Sequence, residues 1–224
     1  MILEQAAENQ VKSKKRVADH GEVFTAQREV NAMLDLVKQE TERIDSRFLE
    51  PACGTGNFLV EILQRKLAVV TSRYRSSQLE YERYAVIAVS SMYGVDILED
   101  NVRDCRKRLF DVFDQHYTRL FKTACQFECR QAVQFILNLN ILWGDALTLI
   151  TVDSPPKPIV FAEWAAVNGS LIKRRDYTLA NLLASQPMDG LNLFSDMGDK
   201  AFIPTPIREF QLVHFLKLGE HAGQ

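Results

Sequence analysis

The chain has no run of the roughly 20 apolar residues that a membrane-spanning helix requires. Its opening, Met1-Ile2-Leu3-Glu4-Gln5, lacks the charged-then-apolar layout of a signal peptide. Charge of one sign is also scarce. Twenty-seven basic residues stand against 29 acidic ones, a net charge of −2, so any surface for a polyanion has to be local. Four cysteines in 224 residues follow no framework spacing, which predicts reduced thiols in a cytoplasmic protein. Cys125 and Cys129 stand four apart on one predicted helix. They are either half of a metal site or two small buried residues. With no second Cys/His pair at ligand spacing the latter is expected, and no metal. There is no internal repeat.

What is present is ordinary for a globular α/β domain: 46% apolar and 25% charged residues, enough chain for one sizeable core and short for two. Residues 1–16 are polar and end in Lys12-Ser13-Lys14-Lys15-Arg16, a basic tail expected to be loose. Residues 17–180 form the expected domain, and 181–224 an irregular extension. Helical spacing marks 26–38, continuing to about 41 and N-capped by Thr25, and then 57–74, 79–91, 98–116 and about 124–137. On the 98–116 helix, Arg103, Arg106, Lys107 and Arg108 are read as complementing the helix dipole. Short apolar strands are expected at 47–50, 92–97, 140–145 and 159–167. Asn168-Gly169 is a hairpin signal, so 170–177 should return antiparallel. Ser154-Pro155-Pro156-Lys157-Pro158 is a stiff connector. A short helix is expected after Thr178 and a last one at 207–218.

The organising stretch is Phe48-Leu49-Glu50-Pro51-Ala52-Cys53-Gly54-Thr55-Gly56-Asn57-Phe58-Leu59. It is a short strand, a glycine turn and a helix that opens at once, with free N–H groups at its start. Two further strands end in an acid, Asp96 and Asp145. A parallel sheet brings all three ends to one edge, where α/β proteins bind ligands. An acid after the second strand suits ribose hydroxyls, and one after the third suits an adenine amine. The turn lacks the third glycine of the dinucleotide fingerprint, which disfavours NAD. The residues alone therefore predict a nucleoside-cofactor domain.

Four pieces, in order, resemble the adenine-specific DNA methyltransferases of restriction–modification systems. Gly21-Glu22-Val23-Phe24-Thr25 resembles the segment that closes over methionine, and Glu50–Phe58 the cofactor loop. Tyr93-Gly94-Val95-Asp96 resembles the ribose motif, followed by Asn101, Cys105 and Arg106. Gly144-Asp145-Ala146-Leu147 resembles the adenine-contacting motif. The resemblance covers roughly residues 17–150. It implies a Rossmann-like class I methyltransferase sheet with flanking helices, here ending in a β-hairpin and an irregular tail. It also implies S-adenosyl-L-methionine as cofactor. The implied cofactor-binding residues are Phe24, Thr25, Glu50, Pro51, Ala52, Cys53, Gly54, Gly56, Asn57, Phe58, Asp96, Ile97, Asp145 and Ala146. Cys53 is expected to pack and not to act as a nucleophile.

The family's Asp/Asn-Pro-Pro-Tyr/Phe motif, which receives the flipped adenine, is not in this sequence. Asp153-Ser154-Pro155-Pro156-Lys157 departs from it. Glu163-Trp164 offers an acid followed by an aromatic near the expected place, either as a catalytic pair or as part of a hairpin strand with a core tryptophan. Lys173, Arg174 and Arg175 form the basic cluster that either meets DNA phosphates or guards a strand edge. The expected function is site-specific adenine methylation of DNA, with no membrane role and with a partner subunit as a candidate for target reading. The alternatives are a cofactor-binding subunit that acts through a partner, and a methyltransferase for a non-DNA substrate.

Overall fold

In the structure, a computed structural model, residues 12–20, 22–184 and 204–221 are described. Gly21 and most of the predicted 186–206 coil lie outside them. Helices α1 (Lys14–His20), α2 (Gln27–Asp35) and α3 (Lys38–Thr41) lead into strand β1 (Phe48–Glu50). Helices α4 (Asn57–Tyr74) and α5 (Gln78–Ser90) precede β2 (Met92–Asp96), and α6 (Glu99–Phe121) and α7 (Phe127–Asn140) precede β3 (Ile141–Asp145). Short β4 (Ile150–Thr151) is followed by the hairpin β5 (Val160–Val167) and β6 (Leu171–Thr178), then α8 (Leu179–Ala184), β7 (Arg208–Glu209), β8 (Val213–His214) and a 3₁₀ turn, Phe215–His221.

The fold is mixed α/β. Strands β1, β2 and β3 are parallel neighbours, with Glu50 opposite Gly94 and Asp96 opposite Trp143, and β4 turns back antiparallel on β3. Helices supply the crossovers because their apolar stripes recur every three to four residues. Leu59, Ile62, Leu63, Leu67 and Val70 are buried on α4, and Val102, Cys105, Leu109, Phe113 and Tyr117 on α6. Burying side chains of this size stabilises the fold by about 1.5–3 kcal/mol each. Alternation along β2 sends Met92 into this helical core and Tyr93 and Val95 to the other face, where they meet Ile159, Phe161 and Leu179.

Several elements depart from the expectations. Ala26, not Thr25, occupies the N-cap of α2 and gives no side-chain cap, and the helix breaks at Leu36-Val37 before α3. Thr25 is held instead by its carbonyl, which accepts from Asn57 Nδ2 at 3.1 Å. The strand from Val160 does not join the parallel sheet. The chain after β3 folds back as β4, and β5 then pairs with β6 through eight residues in a second, antiparallel sheet. No α-helix forms at 207–218. The edge of β6 takes β7 and β8 as partners, and the following 3₁₀ turn buries Phe215 and Leu218. Gly219 sits so close to α7 that a Cβ there would stand 2.7 Å from Gln131. At the other end, Lys12 and Arg16 are fixed to α6 by ion pairs.

Candidate functional site

The three parallel strands end at one cleft of about 580 Å³. Of the fourteen residues expected to hold a cofactor, thirteen line it, from Phe24 and Thr25 through Glu50–Gly54, Asn57 and Phe58 to Asp96, Ile97, Asp145 and Ala146. Gly56 lies beneath, as the α4 N-cap. Its φ of 86° is left-handed, and no side chain caps the first turn of the helix. Its missing Cβ makes room for Cys105, whose sulfur would be 2.7 Å from such an atom. Gly54, at φ 51°, brings the loop against the Phe24 ring, 3.4 Å from where a Cβ would be.

Asp96 organises the loop. Its Oδ2 accepts from the Gly54 N–H at 2.8 Å, and its Oδ1 from the Leu98 N–H at 2.9 Å and Asn101 Nδ2 at 3.2 Å. A carboxylate has about four acceptor positions, so one remains at Oδ2 for a ligand. Asp145 Oδ1 accepts from the Leu147 N–H at 2.8 Å. That bond and Thr148 hold the Asp145 carboxyl below its ordinary value, so it stays ionised. Burial pushes Glu50 up, and the Ala52 N–H offsets this in part. Burial alone would also raise Glu22, but hydrogen bonds from Arg16 and Asn101 outweigh it and hold that carboxyl below its usual range. The Cys53 thiol is pushed far up, first by its hydrogen bond with Cys105 and then by burial. The thiol is buried in the core cluster.

The cleft is acidic. Glu22, Glu50, Asp96 and Asp145 line it, and no lysine or arginine does so among the described residues. Its mouth is apolar and open: Val23 is 59%, Ile97 48% and Leu147 95% exposed. Such a site suits a ligand with a flat apolar ring, hydroxyl or amine donors and a positive charge. It disfavours phosphates, whose charge the carboxylates would repel.

No family model, curated protein or solved structure matches this chain.

The other predicted site residues lie elsewhere. Glu163 pairs with Arg47, which precedes β1, and with Arg175 at 3.4 Å. Trp164 is buried, donates to Asn140 Oδ1 at 3.3 Å and meets Phe135 edge-on. Arg47 and Asn140 stand at the amino ends of β1 and β3, whereas the cleft is at the carboxyl ends. The expectation that Glu163 and Trp164 form a catalytic edge beside the glycine loop is therefore corrected: hairpin pairing carries them to the opposite end. In the basic cluster every member faces a carboxylate. Lys173 meets Glu209 at 3.1 Å, Arg174 meets Asp176 at 2.7 Å and Arg175 meets Glu163. No group of metal-ligand side chains occurs among the described residues.

Sequence reasoning missed Arg108. Its Nη1 donates to Thr55 O (2.7 Å), Thr55 Oγ1 (2.9 Å) and Asn57 Oδ1 (2.8 Å). Asn57 passes the constraint on to Thr25, so one guanidinium on α6 fixes both the glycine turn and the segment above it. Arg106 likewise donates to Ile141 O at 2.9 Å. Both arginines serve particular carbonyls rather than the helix dipole, since mid-helix positions on α6 are turns away from its carboxyl end.

Proposed function

We propose that the cleft holds S-adenosyl-L-methionine and that the chain is the cofactor-binding part of an adenine-specific DNA methyltransferase with a Rossmann-like class I sheet. The observation that carries this reading is the composition of the cleft, four carboxylates and an exposed apolar rim with no basic side chain among the described residues. The cofactor is cationic at its sulfonium and ammonium groups, which suits that charge. Its adenine ring suits Ile97, Ala146 and Leu147, its ribose the spare acceptor of Asp96, and its amine Asp145. The uncapped start of α4 and the Gly54 turn fit its amino-acid end. When bound, the cofactor supplies an electrophilic methyl group. The residues of this chain bind and orient it and exclude water with Phe24 and Thr25.

The displacement of Glu163 and Trp164 from the cleft favours a second reading for catalysis. In it the groups that accept the target base come from a partner subunit, and this chain alone methylates nothing. Calorimetry tests the first reading. S-adenosylmethionine should bind at least tenfold more tightly than ATP, and Asp96→Ala should weaken it at least tenfold. Equal affinity for the two ligands would sink the proposal. Transfer of labelled methyl to DNA, by the chain alone and with whatever protein co-purifies, separates the two readings.

A further inference from the structure

A second cavity among the described residues is larger than the cofactor cleft. A cleft of about 740 Å³ opens at the other end of the sheet, between the α3–β1 connection, the end of α4, α5 and β5. Arg43, Arg47, Arg73 and Arg83 line it from three separate stretches of chain. Arg43 is paired with Asp45 at 3.0 Å and Arg47 with Glu163. The other two are not neutralised in this way. Arg73 makes no ion pair among the described residues, and Arg83 approaches Glu80 only at 3.7 Å. The Arg83 Nε is buried and has no hydrogen-bond partner. A buried donor of this kind is costly unless something accepts from it.

A further basic side chain lies underneath. Lys66 is fully buried and donates to Ile44 O, Ser46 O and Ser91 Oγ, and Ile44 and Ser91 belong to the cleft wall. Glu42 and Asp45 are the acids that line the cleft, and Glu42 is turned to Lys38 at 3.6 Å. One wall is aromatic. Tyr74 and Tyr84 stack with centroids 4.0 Å apart, Arg83 lies 5.2 Å from the Tyr84 ring, and Trp164 borders the same space. An arginine run on a convex surface is simply solvated. Here guanidinium groups from separate elements converge on one concavity with an unmet donor. Their planar forks match phosphate oxygens two at a time.

We propose that this second cleft binds a phosphate group, carried by a nucleotide or by a nucleic-acid strand, independently of the cofactor cleft. The two sites divide by charge: the acidic one takes a cationic nucleoside and the basic one a phosphate. Arg73 and Arg83 are the principal contacts.

The test uses the full chain and two probes. One is a fluorescein-labelled DNA single strand of about 12 nucleotides, read by anisotropy. The other is inorganic pyrophosphate, read by quenching of Trp164 in a Trp143→Phe background. Arg73→Ala removes a side chain without an ion-pair partner among the described residues, so folding is not at risk, and Arg83→Gln keeps the aliphatic stem and a polar end while removing the charge. Thermal melts confirm the fold of both. Pyrophosphate is expected to bind, with affinity at least tenfold lower in the double variant. If the DNA strand also binds, is displaced by pyrophosphate and loses about one unit of salt slope in the variant, the phosphate belongs to nucleic acid. If pyrophosphate alone binds, it belongs to a small ligand. Failure of both probes to bind, unchanged affinities in the double variant, or equal displacement by citrate at matched ionic strength would overturn the proposal.

Discussion

A methyl group on Gly56 would meet the Cys105 sulfur at 2.7 Å on a backbone held at φ 86°. Gly56→Ala should therefore destabilise the protein by about 2–4 kcal/mol, combining overpacking with left-handed strain. Adding Cys105→Ala should recover only the steric part, as read from urea midpoints. Lys66 gives a pH prediction. Burial pulls its ammonium down to about 7. Below that pH both folded and unfolded chains carry the proton. Between pH 7 and the ordinary lysine value the unfolded chain binds more, so stability rises with pH across that window. The urea midpoint is expected to increase from pH 6.5 to 9, and Lys66→Met should flatten the rise. The two residues differ in how far the sequence announced them. Lys66 stands in an apolar stripe with nothing local to name its acceptors, whereas Gly56 was legible because only glycine suits a left-handed turn.

At the scale of elements, α1 is fastened to α6. Arg16 donates to Glu22 and Asp100, and Lys12 to Asp100, Asn101 and Asp104. Hydrogen bonds from Arg16 and then Lys12 hold Asp100 well below the usual carboxylate range, and Glu22 is lowered as well. Depressed carboxyls contribute stability above their unfolded values, near 4, and lose it as pH falls through the lower folded ones. Limited proteolysis within 12–20 should thus accelerate in acid, and Arg16→Ala should show the same rate already at pH 7. Asn101 links this clamp to Asp96, so the variant should also weaken the proposed binding of S-adenosylmethionine. Arg108→Ala is expected to lower that affinity about tenfold with little change in melting temperature, because it frees the glycine turn and Thr25 without opening the core. The motif segments and most helices were legible, since turn chemistry and the 3.6-residue period are local. The last predicted helix failed because the open edge of β6 outcompetes weak helical spacing.

Hydrogen bonds and core contacts join the two sheets. Tyr93 donates to Ala162 O at 3.1 Å, Trp164 to Asn140, and Phe215 is buried against the helical core. In a Trp143→Phe variant, Trp164 fluorescence should unfold together with far-ultraviolet circular dichroism. A separate, earlier fluorescence transition would mean that the hairpin sheet is an independent unit. By itself the sequence determined the parallel strands, the glycine turn and the thirteen residues that meet at the cleft, because strand–turn–helix units carry their geometry in neighbouring residues. The tertiary structure decided what lies at the far end. Glu163 meets Arg47 across 116 positions and Arg108 meets Thr55 across 53. No short-range pattern specifies such pairs. They depend on strand pairing, which places the hairpin residues at one end of the sheet and the glycine loop at the other.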